Sequence, residues 1–167
     1  MNRDDEVFER ACTFAERNNL RLSHGLGYGI HGSVWAVESH LQSGSSAIKV
    51  LYRQVPYHRE RDVYQRLRDE GVNIIRECMV PLLLHCDDEL LVIQITIVTR
   101  PFILDFAAAY LDEPPEFSEE VWADWRQDKE EQFGSQWPEV QAVMQELRNI
   151  GIHQTDVSPG NISLPEI

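Results

Sequence analysis

The segment Gly27-Tyr28-Gly29-Ile30-His31-Gly32 constrains this chain more than any other, because of the residues on its C-terminal side. Glycines in a G-x-G-x-x-G spacing let backbone N–H groups approach phosphate oxygens, but in two different settings. In a dinucleotide-binding unit the last glycine opens a helix. Here Gly32 runs into Ser33-Val34-Trp35-Ala36-Val37, which alternates and is rich in β-branched residues, so the chain continues as a strand. That excludes the βαβ unit and leaves a hairpin, whether a phosphate-binding one or a plain turn.

The neighbouring segments extend this reading. Runs at Arg21–Tyr28, Ser33–Ser39 and Ser46–Tyr52 predict an antiparallel meander, the third strand entered through Gly44-Ser45-Ser46. A helix comes next, opened by Pro56 at its first position, with an apolar face of Val63, Tyr64 and Leu67 and a stop at Gly71. Met79–His85 and Glu89–Val98 predict two more strands turning at Asp87-Asp88. Upstream, residues 4–18 carry a helical stripe of Val7, Ala11, Phe14 and Ala15, and this helix is expected on the outside of the sheet, away from any cleft.

Beyond residue 100 the pattern turns helical. Phe102–Leu111 reads as a small-residue helix and Asp112–Phe117 as a Pro-rich loop. Ser118 is the N-cap of a helix running to Phe133. Pro138 starts another, with the stripe Val140, Val143, Met144, Leu147 and Ile150 and a stop at Gly151. Ile152–Ile167 reads as a loop with a short strand. The expected architecture is α+β: a small lobe with a five-stranded antiparallel sheet plus one helix, then a mainly helical second lobe. The chain divides into an N-terminal helix (1–19), a sheet-bearing lobe (20–100) and a helical lobe (101–167) within one unit.

Charge narrows the partners. With 15 basic and 28 acidic residues the formal net charge is −13. Such a surface repels nucleic acid and anionic membrane, so a phosphate site must gather its own donors. Three widely spaced cysteines argue against a disulfide framework, and Cys78, His85 and Cys86 fit no closed zinc pattern. The longest apolar run, Leu90 to Val98, is too short to span a bilayer, and the acidic N-terminus is unlike a signal peptide. A reducing cytoplasm is the expected setting.

Three further positions carry chemistry. Lys49, in Ala47-Ile48-Lys49-Val50, sits on the strand after the glycine hairpin, where an ammonium reaches phosphates lying under the loop. Glu60 lies one turn before Tyr64, on the helix side that packs on the sheet, and a carboxylate there needs Lys49 as partner. Finally, Asp156-Val-Ser-Pro-Gly-Asn161 holds a carboxylate and an amide on one loop, suited to accepting a hydroxyl proton and binding a metal. Each alone has an ordinary alternative: a surface lysine, a solvated glutamate, an Asp/Pro/Gly/Asn turn.

In this order the features resemble the protein-kinase fold over roughly residues 20–164. The resemblance implies that Gly27, Gly29 and Gly32 form the glycine-rich loop, with Val34 and Ala47 beside the nucleotide. It makes Lys49 and Glu60 the ion pair on the phosphates, Gln94–Pro101 the hinge that meets adenine, Asp156 the catalytic-loop base and Asn161 a magnesium ligand. ATP is the implied cofactor, with magnesium bound weakly or not at all. Gln154 and Thr155 stand where the family has His and Arg before the Asp, and the chain ends at Ile167, before a D-F-G segment or its metal-binding Asp. The expectation is a degenerate or conditional phosphotransferase that moves phosphate poorly alone, with a partner protein completing the large lobe. The alternative is a non-catalytic pseudokinase module that docks a partner through Trp122, Trp125 and Phe133, and an unrelated α+β fold is a third reading.

Overall fold

The computed structural model describes residues 2–41 and 43–166. In chain order the elements are α1 (Arg3–Arg17), β1 (Leu20–Tyr28), β2 (Gly32–Ser39), β3 (Ser45–Leu51), α2 (Gln54–Asp69), β4 (Ile74–Ile75), β5 (Cys78–Met79), β6 (Leu83–Asp87), β7 (Val92–Thr96), β8 (Phe102–Ile103), β9 (Tyr110–Leu111), α3 (Glu119–Phe133), α4 (Trp137–Asn149), β10 (Ile152–His153) and β11 (Ile162–Ser163). Among the described residues no helix is long and apolar enough to cross a membrane.

The main sheet is five-stranded and antiparallel, in the order β1-β2-β3-β7-β6. Alternation along β3 sorts its residues between two layers. Ile48 and Val50 point to the outer face, where they pack with Val37, Val92 and the α1 stripe of Val7, Ala11 and Phe14. Ala47 and Leu51 point the other way, into the core shared with Tyr57, Val63, Tyr64 and Leu67 of α2. So each face of the sheet carries one helix, and α1 covers the face opposite Lys49. Arg10 fixes α1 there by donating to the carbonyls of Leu51 (3.0 Å) and Leu90 (3.1 Å).

One glycine has a steric reason. A Cβ on Gly32 would lie 2.5 Å from the Val50 carbonyl oxygen, so only glycine lets β2 come this close to β3. At the hairpin tip the Gly29 N–H donates to the Gly32 carbonyl at 2.9 Å.

Residues 102–111 correct the sequence reading. They form no helix; the segment is extended at both ends, with Asp105 at φ 62 between β8 and β9. Helix propensity of Ala107, Ala108 and Ala109 is a weak prior that tertiary pairing overrides. β8 pairs antiparallel with β11 (Ile103↔Ile162, Phe102↔Ser163) and parallel with β5. β9 pairs antiparallel with β10 (Leu111↔Ile152, Tyr110↔His153). The second lobe is therefore less helical than its sequence pattern suggests. α3 and α4 lie close to their expected bounds, and the Ser118 hydroxyl caps α3 by accepting from Val121 N–H at 3.3 Å.

Candidate functional site

The two small pairings have one geometric consequence. Segment 102–111 is clamped at one end by β11 and at the other by β10, the strands that flank the loop 154–161. The turn at Asp105 and the loop holding Asp156 and Asn161 are thus held against each other. Leu104 N–H donates to the Asn161 carbonyl at 2.7 Å, Gln154 Nε2 donates to the Asp105 carbonyl at 2.6 Å, and Thr155 Oγ1 donates to the Ala108 carbonyl at 2.6 Å. Gln154 is itself buried, and tying up a backbone carbonyl is the work a buried amide side chain needs.

Lys49 leaves β3 toward the same place. Its Nζ lies 2.8 Å from Glu60 Oε2, 3.1 Å from Glu60 Oε1 and 3.1 Å from Asp105 Oδ1. Glu60 is 1% exposed, so its charge must be compensated inside the protein. Burial pulls the Lys49 ammonium toward neutrality, but Glu60 and then Asp105 outweigh it and hold its pKa above the ordinary lysine value. The ammonium stays charged. Phe106 N–H also donates to Glu60 Oε1 (3.4 Å), and the Phe106 ring meets Tyr64 edge-on at 5.3 Å. Further contacts hold α2 against the second lobe. Arg66 grips Asp112 through its two terminal guanidinium nitrogens (2.9 and 3.0 Å), and Arg59 lies over the Tyr110 ring at 4.2 Å.

A cavity of about 380 Å³ opens between the sheet and this layer. Leu26, Gly27, Val34 and Ala47 form its roof, Ile95–Val98 its edge, and Lys49, Glu60, Asp105 and Asn161 its polar end. Of the site residues read from the sequence, Gly27, Val34, Ala47, Lys49, Glu60 and Asn161 line it, as do Ile97 and Val98 of the expected hinge. Gly29 and Gly32 lie outside its walls, one at the hairpin tip and one between strands. Asp156 is not one of the residues lining the cavity; its carbonyl accepts from Asn161 Nδ2 at 3.0 Å.

Asp105 is the residue that sequence reasoning missed. It comes after Phe102-Ile103-Leu104, a strand-like run, and with Phe106 it repeats two residue types of the D-F-G segment, Ala107 standing in the third place. Ala107 N–H donates back to Asp105 Oδ1 at 3.3 Å, which fixes the carboxylate over its own turn. The sequence reading expected no metal-binding Asp after Asn161; in the fold a carboxylate from upstream of the loop, Asp105, lines the same cavity as Asn161.

Asp105 and Asn161 bring one carboxylate and one amide to the polar end of the cavity. Asn161 spends its amide N–H on the Asp156 carbonyl, which leaves the amide oxygen as acceptor, and Asp105 adds a half-buried carboxylate. Among the described residues no group of three or more His, Cys, Asp or Glu side chains could hold an ion unaided. A pair of oxygen donors is what suits magnesium, which keeps waters and takes its other ligands from phosphates. Comparison of the chain with protein-family models, curated proteins and solved structures finds no match.

Proposed function

We propose that the chain binds a nucleoside triphosphate in this cleft and acts as a kinase-type phosphotransferase. One observation carries the reading: Lys49 meets Glu60 on one side and Asp105 on the other, at the polar end of an apolar-roofed cavity that Asn161 also lines. The apolar roof of Leu26, Val34 and Ala47 suits a flat base, and the edge at Ile95–Val98 offers backbone groups to it. The cation and the glycine hairpin suit phosphates in a protein that otherwise repels them. Magnesium held by Asp105 and Asn161 would neutralise charge developing on the phosphates. Asp156 accepts the proton of the attacking hydroxyl, and Gln154 keeps the Asp105 turn in register with that loop.

The weak transfer expected from the sequence rested on a lone amide as metal ligand and on the missing remainder of the large lobe; the first of these reasons is the one that Asp105 bears on. With Asp105 beside Asn161 that reason lapses, and we propose magnesium-dependent turnover by the chain. A second reading, a nucleotide-binding module without transfer, draws on Lys49 already facing two carboxylates. The deciding experiment is thermal stabilisation by ATP and by adenosine, with and without magnesium, and then phosphate release. Transfer requires ATP stabilisation that grows with magnesium, falls in Lys49→Ala, and turnover that is lost in Asp156→Ala. Stabilisation without turnover leaves the binding module, and no stabilisation by either ligand removes both readings.

A further inference from the structure

A second cavity, of about 360 Å³, lies between α3, α4 and β10. Trp122, Trp125 and Trp137 wall it, and Arg126, Arg148 and His153 supply all of its charged and titratable side chains. None of its lining residues is acidic, in a chain with 28 acidic residues against 15 basic ones. That is a local reversal of the protein's charge.

The two guanidinium groups are also uncommitted. Among the described residues Arg17, Arg61, Arg66 and Arg76 each meet a carboxylate. Arg126 makes no hydrogen bond or ion pair among them, and Arg148 donates only to the neutral amide of Gln145 at 2.9 Å. The cation–ring stacks of the described residues involve Arg3, Arg59 and Arg61, so neither cavity arginine lies over a tryptophan face. Asp112, the carboxylate that feels His153, is gripped by Arg66. Among the described residues neither Arg126 nor Arg148 is therefore held in an ion pair, although Arg148 and His153 also border another pocket with Asp112 and Glu70.

The aromatic wall is fixed. Trp125 Nε1 donates to the Thr155 carbonyl at 3.3 Å, and its ring meets Trp122 edge-on at 5.7 Å and Trp137 at 6.2 Å. Indole faces held in place favour a flat ring, and forked guanidinium groups favour an oxyanion. We propose that this cavity binds a small planar ring carrying an oxyanion, a phosphate or a carboxylate. The site is separate from the nucleotide cleft and does not depend on it. Gln154 lines the cavity and donates to the Asp105 carbonyl, so an occupant sits one residue away from the cleft's carboxylate.

Phenyl phosphate, benzoate and the neutral benzyl alcohol are the probes, each titrated against the whole chain by tryptophan fluorescence and calorimetry. Saturable one-to-one binding of one or both anions is expected, with benzyl alcohol weaker by about tenfold or more, the loss of a charged hydrogen bond. The Arg126→Ala/Arg148→Ala variant should lose the anion by a similar factor and melt with the wild type, since both arginines are exposed. Lys49→Ala, which loses stability through the uncompensated Glu60 and is titrated at a temperature where circular dichroism shows it folded, should leave the affinity unchanged. Whichever of phenyl phosphate and benzoate binds more tightly names the oxyanion. No saturable signal from either anion at millimolar concentration overturns the proposal, as does equal binding of benzyl alcohol. Loss of binding in Lys49→Ala but not in the arginine variant places the anion in the nucleotide cleft and equally refutes it.

Discussion

Removing the charges around Lys49 one at a time should separate stability from metal binding. Lys49 compensates two carboxylates, one of them fully buried. Lys49→Met leaves Glu60 without a counter-ion inside the protein, a loss that costs about 3–5 kcal/mol. For a domain of this size that lowers the melting temperature by roughly 6–20 °C. Asp105→Asn removes no compensation: Lys49 and Glu60 remain paired one to one, the amide can still accept from Lys49, and the side chain is 32% exposed, so the change should stay within about 1 kcal/mol. Under the proposed function the order reverses for the ligand. Asp105→Asn should abolish the magnesium-dependent part of ATP stabilisation while leaving the magnesium-free part, and it should do so at nearly wild-type stability. Chemical denaturation gives the first quantity and thermal shift with and without magnesium gives the second. If Asp105→Asn destabilises as much as Lys49→Met, the charge accounting around Lys49 is wrong. If magnesium dependence survives in Asp105→Asn, the metal assignment is wrong.

Three further outcomes are expected. Gly32→Ala should destabilise by about 1–3 kcal/mol by forcing a Cβ against the Val50 carbonyl at 2.5 Å, while Gly29→Ala, with open space around it, should cost less; equilibrium denaturation compares them. Arg66→Ala should weaken ATP binding through a loosened α2, and the swap Arg66→Asp/Asp112→Arg should recover part of it, which calorimetry on the four variants of the cycle can measure. Tyr57 and Tyr64 have phenol groups pushed up by burial, so the fold prefers them protonated. Their contribution is full below the unfolded tyrosine value of about 10 and is lost as pH rises above it. Absorbance at alkaline pH should show both ionising only as the protein unfolds, and Tyr64→Phe should reduce that alkaline loss.

Local periodicity explains what could be read from the sequence alone. The glycine hairpin, the alternation around Lys49 and the face of α2 bearing Glu60 are each set by neighbours within a few residues. From these the ion pair can be inferred, because a strand lysine and a helix glutamate facing the same core have few other partners. Segment 102–111 was opaque for the opposite reason. Its strands are two residues long, its partners are β11, β5 and β10, and its three alanines favour a helix locally. Nothing close to Asp105 in the chain announces that Asn161 will lie alongside. The same holds for Gln154. A glutamine read as a departure from His turns out to hold the Asp105 carbonyl, a role any buried donor of the right reach can fill. Trp122 and Trp125 read as part of a partner-docking surface; in the fold both are half-buried, ring against ring, and Trp125 lies near Trp137.

The order of the chain around the cleft is compatible with the nature of antiparallel pairing. The resemblance places the catalytic-type loop first and the metal-binding carboxylate after it. Under the proposed function Asp105 would take that carboxylate's part, but its segment leaves the sheet directly from the cavity edge, and the loop comes later, after α3 and α4. An antiparallel ladder depends on register and not on which strand is made first. β8 with β11 and β9 with β10 can therefore hold Asp105 beside Asn161 whichever segment precedes the other, provided the connection can return. The path through α3 and α4 makes that return, and its cost in loop closure grows only slowly with length. In exchange, both ends of the Asp105 segment are tied into strands and the Arg66–Asp112 grip joins its far end to α2. Glu60, Lys49 and Asp105 are then positioned by one connected set of contacts, so a perturbation at Asp112 should be felt at Lys49 even though the two side chains have different partners.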